Sequence, residues 1–185
     1  MAGRMGYLGL RSMNAGPFVY LLPEEIAEAD AVGVARQAAA APAGRKDANG
    51  LKASYAQGEA MHIIGARCEL AGWRWLRPIS WHALADRTTG LPDLGEFIDV
   101  KKARGDGRIV ITPKALRPGW AYLAIAPGRL PRFYIKGWIW GAEALLYWHD
   151  VIEDPSRSAY FVPGEKLRPP ETLMTLIHGD ARERA

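Results

Sequence analysis

The residues best suited to chemistry stand close together in one stretch, Pro92–Lys102. The run Phe97–Lys101 follows the β-strand period of two, so Asp99 and Lys101 should project from the same face of a strand. The apolar residues next to them should then be buried on the other face. A carboxylate and an ammonium group side by side can hold a divalent metal ion, polarise a phosphate oxygen or orient a water molecule.

A second carboxylate, Asp93, lies just upstream of this strand, behind a proline and ahead of a glycine. If Gly95–Phe97 form a three-residue hairpin loop, Leu94 pairs with Ile98 and Asp93 lies opposite Asp99. The Cβ atoms of such a pair are about 4.5–5.5 Å apart, close enough for two carboxylates to share a cation. A four-residue loop would move Asp93 out of register, so a metal site here requires the shorter loop.

The segment before this stretch predicts a helix that carries a third acid. Ser54 and the glutamine three residues later form a capping box for a helix over Tyr55–Ala71, which the sequence predicts to end at Gly72. Glu59 lies in line with the apolar stripe of this helix. It is either an acid at the edge of the stripe, favoured by the helix dipole, or a contributor to a site. Trp73–Arg77 alternates large apolar and basic residues, which predicts a strand.

The rest of the chain predicts an α/β protein with a mixed, mainly antiparallel central sheet flanked by helices. Residues 1–50 are expected to form a helical arm packed on a domain over residues 51–185, with 41–50 as a loop. Further strands are predicted at 18–22, 109–112, 120–126, 132–140 and 158–163, and further helices at 23–40, 141–148 and from 170 onward. The strands at 120–126 and 132–140 should form a hairpin.

Five basic residues follow the acidic stretch, where a phosphodiester backbone bound at a metal site would have to pass. They are Lys102, Arg104, Arg108, Lys114 and Arg117. The alternative is that they are solvated loop charges. A net charge of +4 and a pI of about 9.3 fit an anionic partner such as DNA, although many intracellular proteins share this balance.

Composition excludes several other classes of protein. Cys68 is the single cysteine, which rules out an internal disulfide and a cysteine-clustered zinc site, and makes a reducing cytoplasm the expected location. No run approaches the roughly 18 apolar residues of a membrane span, and the start of the chain lacks the apolar core of a secretory signal. There is no phosphate-binding P-loop, dinucleotide fingerprint or nucleophile elbow.

Two interpretations are open for three of the tryptophans and for one histidine. Trp120, Trp138 and Trp140 fit either core packing, which their strand patterns favour, or a platform for stacking the bases of a single strand. His82 stands in the segment between the predicted helix and the acidic stretch. It is either a solvated loop residue or an accessory acid or base.

The acidic stretch resembles the motif of the PD-(D/E)XK nuclease superfamily, a group with the restriction-endonuclease-like fold that includes Holliday-junction resolvases. The matching residues are Pro92-Asp93 and Asp99-Val100-Lys101, and a helix precedes them as in that family. The resemblance implies Mg²⁺ or Mn²⁺ bound by Asp93, Asp99 and the Val100 carbonyl, with Lys101 acting on the attacking water. It also implies a helix acid that completes the site, for which Glu59 is the candidate.

The stretch from Val100 to Pro163 also resembles small phage and prophage proteins in which a D/E-V-K/R strand precedes a "GW" strand and a "Y/F-V-P" strand. The counterparts are Asp99–Lys101, Gly137-Trp138 and Tyr160–Pro163. Together the resemblances imply a phage-encoded, metal-dependent endonuclease acting on DNA in the host cytoplasm, as a homodimer or with phage protein partners. A virion location is the other option. The alternative function is a catalytically inactive nuclease-like fold that binds DNA or serves in phage assembly.

Overall fold

The computed structural model describes residues 16–40, 54–83, 90–150 and 158–182. The predicted loop at 41–50 and the predicted domain boundary after residue 50 lie outside these ranges. The helices are α1 (Pro23–Ala40), α2 (Tyr55–Leu76), α3 (Gly141–Ala144) and α4 (Pro170–Arg182). The strands are β1 (Phe18–Tyr20), β2 (Ile98–Lys102), β3 (Ile109–Ile111), β4 (Ala121–Pro127), β5 (Arg132–Trp140), β6 (Trp148–His149) and β7 (Ala159–Val162).

The strands form two sheets, where the sequence predicted one. Sheet A has the order β1-β5-β4-β2, with β2 parallel to β4 and the other neighbours antiparallel. Sheet B has the order β3-β7-β6 and is antiparallel. The expected mixed, mainly antiparallel architecture with flanking helices is therefore confirmed, as is the β4–β5 hairpin. The strands predicted at 109–112 and 158–163 exist, but they belong to sheet B.

Each face of sheet A covers a separate hydrophobic cluster. On one face, Ile98 and Val100 pack with Leu70 and Ala71 of α2. On the other face, Tyr122 packs with residues of β3 and β7. Because Asp99 pairs directly with Tyr122 in the parallel ladder, Asp99 and Lys101 project from the second face, as their spacing predicted. The two charged side chains thus lie on the side of sheet A that faces sheet B.

Helix α2 begins where the sequence predicts but continues past its predicted end. The Ser54 hydroxyl accepts a hydrogen bond from the Gln57 amide at 3.3 Å, and the Ser54 amide donates to the Gln57 side chain at 2.8 Å, which completes the capping box. The helix then runs through Gly72 to Leu76, so the strand predicted at Trp73–Arg77 is wrong.

Gly72 marks a close contact between helix and sheet rather than a helix end. A Cβ at this position would lie 3.1 Å from side-chain carbons of both Leu94 and Ile125. The glycine therefore lets α2 approach sheet A closely. Tertiary packing outweighs the local preference of glycine for the end of a helix. Among the described residues, no helix is both long and apolar enough to cross a lipid bilayer.

Candidate functional site

The hairpin register on which the metal prediction depends is confirmed. Leu94 and Ile98 exchange backbone hydrogen bonds of 2.9 and 3.2 Å, so Gly95–Phe97 form a three-residue loop. Gly95 adopts φ = 54°, a left-handed conformation that glycine tolerates best. This register places Asp93 opposite Asp99 at the free edge of β2.

Asp93 is held between the backbone of β2 and the carboxylate of Asp99. Its Oδ2 atom accepts a hydrogen bond from the Val100 amide at 2.8 Å, and its carboxyl group lies within hydrogen-bonding reach of the Asp99 side chain. Burial raises the pKa of Asp93 well above its ordinary value, and the negative charges of Glu69 and Asp99 raise it further. Asp93 therefore favours its protonated, neutral form when no cation is bound.

Lys101 supplies the positive charge nearest to this carboxyl pair. Its ammonium group forms an ion pair with Asp99, which is only 8% exposed, and lies 5.7 Å from the centre of the Tyr122 ring. Burial opposes protonation of Lys101, but the charges of Asp99 and Asp93 outweigh it, so the pKa of Lys101 is raised. Lys101 is therefore a cation suited to donating hydrogen bonds rather than to accepting a proton.

A third carboxylate, Glu69 of α2, acts electrostatically on Asp93, although the sequence analysis did not select it. Glu69 is buried and forms a bidentate ion pair with Arg36 of α1, with both contacts at 2.7 Å. The charge of Asp93 helps to raise the pKa of Arg36, which places Arg36 within electrostatic reach of that carboxylate as well. Three acidic side chains thus lie between two cations, in a group that runs from α1 through α2 to the edge of sheet A. These five residues are the charge cluster: Arg36, Glu69, Asp93, Asp99 and Lys101.

The structure does not bring Glu59, the predicted helix acid, into the charge cluster. Glu59 and Glu69 are ten residues apart on α2, which corresponds to about 15 Å along the helix axis. The available signal for Glu69 was its position between Cys68 and Leu70, inside the apolar part of the helix. An acid flanked by core residues is rarely buried without a function or a partner.

His82 lies beside the same hairpin. Its backbone amide donates to the Asp93 carbonyl at 2.9 Å, and its Nε2 atom lies 2.9 Å from the Gly95 carbonyl. Because a carbonyl oxygen only accepts, Nε2 carries the proton in this contact. Ser80 also accepts a hydrogen bond from Gly95, so residues 80–82 cover the outer side of the acidic hairpin.

The oxygen donors at the edge of β2 fit a hard divalent cation. The Val100 amide points toward Asp93, away from β4, and its carbonyl points the same way because both groups of a strand residue face the same edge. Two carboxylates and a carbonyl are the ligand types that Mg²⁺ prefers. Within the described ranges, no three acidic, histidine or cysteine side chains stand close enough to form a complete metal site by themselves.

The five predicted DNA-binding residues lie in three different surroundings. Lys102 and Arg104 are exposed and line a cleft of about 360 Å³ between the ends of β2 and β4. Arg108 instead pairs with Asp106 at 3.3 Å.

Lys114 and Arg117 are exposed in the segment that covers Tyr122, whose hydroxyl accepts a hydrogen bond from the Arg117 amide at 2.7 Å. The tryptophans selected as base-stacking candidates are mostly covered: Trp138 is 2% exposed, and Trp120 and Trp140 are partly buried.

The site thus brings Asp93, Asp99 and Lys101 close together at the edge of β2. Comparisons of the chain with family models, curated proteins and solved structures found no match.

Proposed function

We propose that the protein is a metal-dependent nuclease that hydrolyses DNA phosphodiester bonds. The single observation that carries this proposal is the convergence of Asp93, Asp99 and Lys101 at the free edge of β2. Two carboxyl groups this close repel each other when both are ionised, and a bound cation would relieve that repulsion. An ammonium group beside it can neutralise the charge that develops on a phosphate.

Asp93, Asp99 and the Val100 carbonyl are the ligands in this proposal. When bound, Mg²⁺ or Mn²⁺ polarises a phosphate oxygen and makes a bound water molecule more acidic. Lys101 keeps its proton and donates a hydrogen bond to the attacking water or to the phosphate oxygen on which charge accumulates. Arg36 holds Glu69 in a fixed position behind Asp93, where its charge favours the binding of a cation.

We also infer a restriction-endonuclease-like fold and a phage origin, with action on DNA in the host cytoplasm. The support for this fold is the order of the elements: a long helix, an acidic hairpin, and a motif strand that runs parallel to its neighbour in a mixed sheet. The support for a phage origin is the resemblance of residues 100–163 to phage proteins. A homodimer or a complex with phage proteins is compatible with this assignment.

The proposal is tested by incubating the purified protein with Mg²⁺ or Mn²⁺ and linear, branched or single-stranded DNA. We expect cleavage of at least one substrate, and none in the presence of EDTA. Asp99→Asn and Lys101→Ala should each lower the rate at least about 100-fold, because each removes a ligand or a charge needed in the transition state.

Matched control variants separate catalysis from general loss of charge. Glu171→Gln and Lys166→Ala remove an exposed acid and an exposed cation that lie outside the charge cluster and outside the predicted DNA-binding residues, and they should cut like the parent. Intact DNA under all these conditions, or equal cleavage by the Asp99 and Lys101 variants, would refute the nuclease assignment.

The second candidate is a nuclease-like fold without catalysis that binds DNA or serves in phage assembly. The observation that favours it is that Lys101 and Arg36 already neutralise two of the three carboxylates. Calorimetry distinguishes the candidates. If no Mg²⁺ or Mn²⁺ binds at millimolar concentration while DNA binding persists and weakens with salt, the inactive binding module is correct.

A further inference from the structure

The outer edge of sheet A carries a group of exposed and half-buried aromatic and basic side chains. Phe18 and Tyr20 of β1 are 51% and 45% exposed, and their rings meet edge to face with centroids 5.3 Å apart. The Arg132 guanidinium of β5 lies 5.3 and 5.2 Å from these two ring centres and donates a 2.6 Å hydrogen bond to the Tyr20 hydroxyl. Tyr134 and Lys136 continue the group, with the ammonium 5.2 Å from the ring. We call these five residues the β1–β5 platform.

The β1–β5 platform lies on the same face of sheet A as Asp99 and Lys101. Directly paired residues in adjacent strands point to the same face. Lys101 pairs with Ala124 of β4, and Ala126, two residues further along, pairs with Tyr134. Tyr134 in turn pairs with Phe18. With strands about 4.8 Å apart and a rise of about 3.3 Å per residue, the platform begins on the order of 12 Å from Lys101.

A basic cleft lies at the ends of β2 and β4, next to the residues that pair with the platform. It is lined by Lys102 and Arg104 on one side and by Ala126 and Pro127 on the other. Within the described part of the chain, Lys102, Arg104, Arg132 and Lys136 form no ion pair with a carboxylate. Cations without a carboxylate partner among the described residues thus lie both at the cleft and on the platform, which suits a polyanion.

We propose that the β1–β5 platform binds single-stranded nucleic acid by base stacking and so presents a single-stranded stretch of the substrate to the charge cluster. Exposed aromatic rings next to cations stack with unpaired bases of any sequence, whereas the bases of a duplex are not accessible to them. The substrate class is then DNA with a single-stranded region, such as an overhang or a flap. The presentation of the strand for cleavage rests on the proposed nuclease function, whereas the binding of single strands by the platform does not.

The test measures the binding of a fluorescent single-stranded oligonucleotide and of a blunt duplex of equal length, by anisotropy without metal. The double variant Phe18→Leu/Tyr20→Leu keeps apolar side chains on β1 but removes both rings. We expect it to weaken single-strand binding at least about tenfold, the size of one lost stacking contact, and to change duplex binding less than twofold. Tyr55→Leu, which removes an exposed tyrosine from α2, is the matched control and should change neither.

Circular dichroism and thermal unfolding check that each variant is folded. Arg132→Gln is a second variant, which leaves the sequence of β1 unchanged. Equal single-strand binding by parent and both variants would overturn the platform. The proposal would also be wrong if the parent forms a dimer that the Phe18→Leu/Tyr20→Leu variant does not form, while the variant binds DNA as well as the parent. The face would then be an interface between copies of the chain.

The cleavage assay separates the two proposals. If the parent cuts DNA and the variants bind and cut overhang substrates equally well, the platform is refuted while the nuclease function stands. If no DNA is cut but single-strand binding is lost in the variants, the platform is supported and the nuclease function is refuted.

Discussion

At the scale of single residues, the charge cluster brings three acidic side chains close to two cations. Asp93 and Asp99 approach each other closely, and Glu69 adds a third negative charge. Two cations from different elements, Arg36 and Lys101, offset part of this repulsion. Carboxylates brought together at a cost to stability are typical of sites that bind a charged ligand.

The raised pKa of Asp93 predicts how the stability of the metal-free protein depends on pH. Below the ordinary value of 3.8, Asp93 is protonated in both the folded and the unfolded state. Between 3.8 and the raised folded pKa, the folded state binds more protons, so the free energy of unfolding falls as the pH rises. The asparagine in the Asp93→Asn variant cannot ionise, and its side-chain oxygen can still accept the hydrogen bond from the Val100 amide. We therefore expect this variant to become increasingly more stable than the parent across that pH window.

Urea denaturation of the EDTA-treated parent and variant at a series of pH values measures this difference. A stability difference that stays constant with pH, or that favours the parent more at high pH, would contradict the assignment of Asp93. Adding Mg²⁺ should stabilise the parent above the pH window, where Asp93 is ionised, and should leave the variant nearly unchanged.

At the scale of secondary structure, the packing of α1 on α2 positions Arg36 against Glu69. The helices approach closely at Gly33, where a Cβ would lie 2.4 Å from the Ile63 Cα atom. Arg67 and Asp30 form an ion pair of 2.5 Å across the same interface. The positions of Arg36 and Glu69 therefore depend on the spacing of α1 and α2. The positions of Asp93 and Asp99 depend on the hairpin in which Leu94 pairs with Ile98.

Two glycine-to-alanine variants test the role of this helix contact. Gly33→Ala should destabilise the protein by about 1–3 kcal/mol, because the clash involves backbone atoms that cannot rotate away. Gly65→Ala should leave the protein equally stable or up to about 1 kcal/mol more stable, because nothing lies within 4 Å of the added carbon and alanine favours a helix. Chemical denaturation gives both values. Equal stability changes in the two variants would mean that α1 and α2 are further apart than described.

At the scale of the whole molecule, the net charge of +4 and the exposed cations near the end of β2 predict salt-dependent DNA binding. The logarithm of the binding constant should fall linearly with the logarithm of the salt concentration. The double variant Lys102→Ala/Arg104→Ala should lower the magnitude of this slope by about 2, because each lost phosphate contact contributes roughly 0.9.

Lys166→Ala is the matched control for this measurement. Lys166 is exposed in the short turn of helix at Gly164–Lys166 and does not line the cleft, so its removal should leave the slope unchanged. An equal decrease in the slope for Lys166→Ala would mean that DNA does not follow the cleft between β2 and β4.

The sequence alone determined the parts of the molecule that depend on neighbours within a few residues. The face shared by Asp99 and Lys101, the three-residue loop that brings Asp93 opposite Asp99, and the capping box at Ser54 are all local. Strand alternation and capping act over short distances, so the spacing of residues was enough to predict the shared face and the cap. The sequence left three- and four-residue loops open, and the pairing of Leu94 with Ile98 decided for the shorter one.

Only the tertiary structure decided which helix acid faces the hairpin and where α2 ends. Glu69 rather than Glu59 is the acid near Asp93, because the packing of α2 on sheet A sets which turn of the helix lies over the edge of β2. Gly72 continues the helix because Leu94 and Ile125 approach it from the sheet. The β1–β5 platform joins residues more than a hundred positions apart, such as Tyr20 and Arg132. Contacts between distant segments depend on packing, which no local spacing encodes.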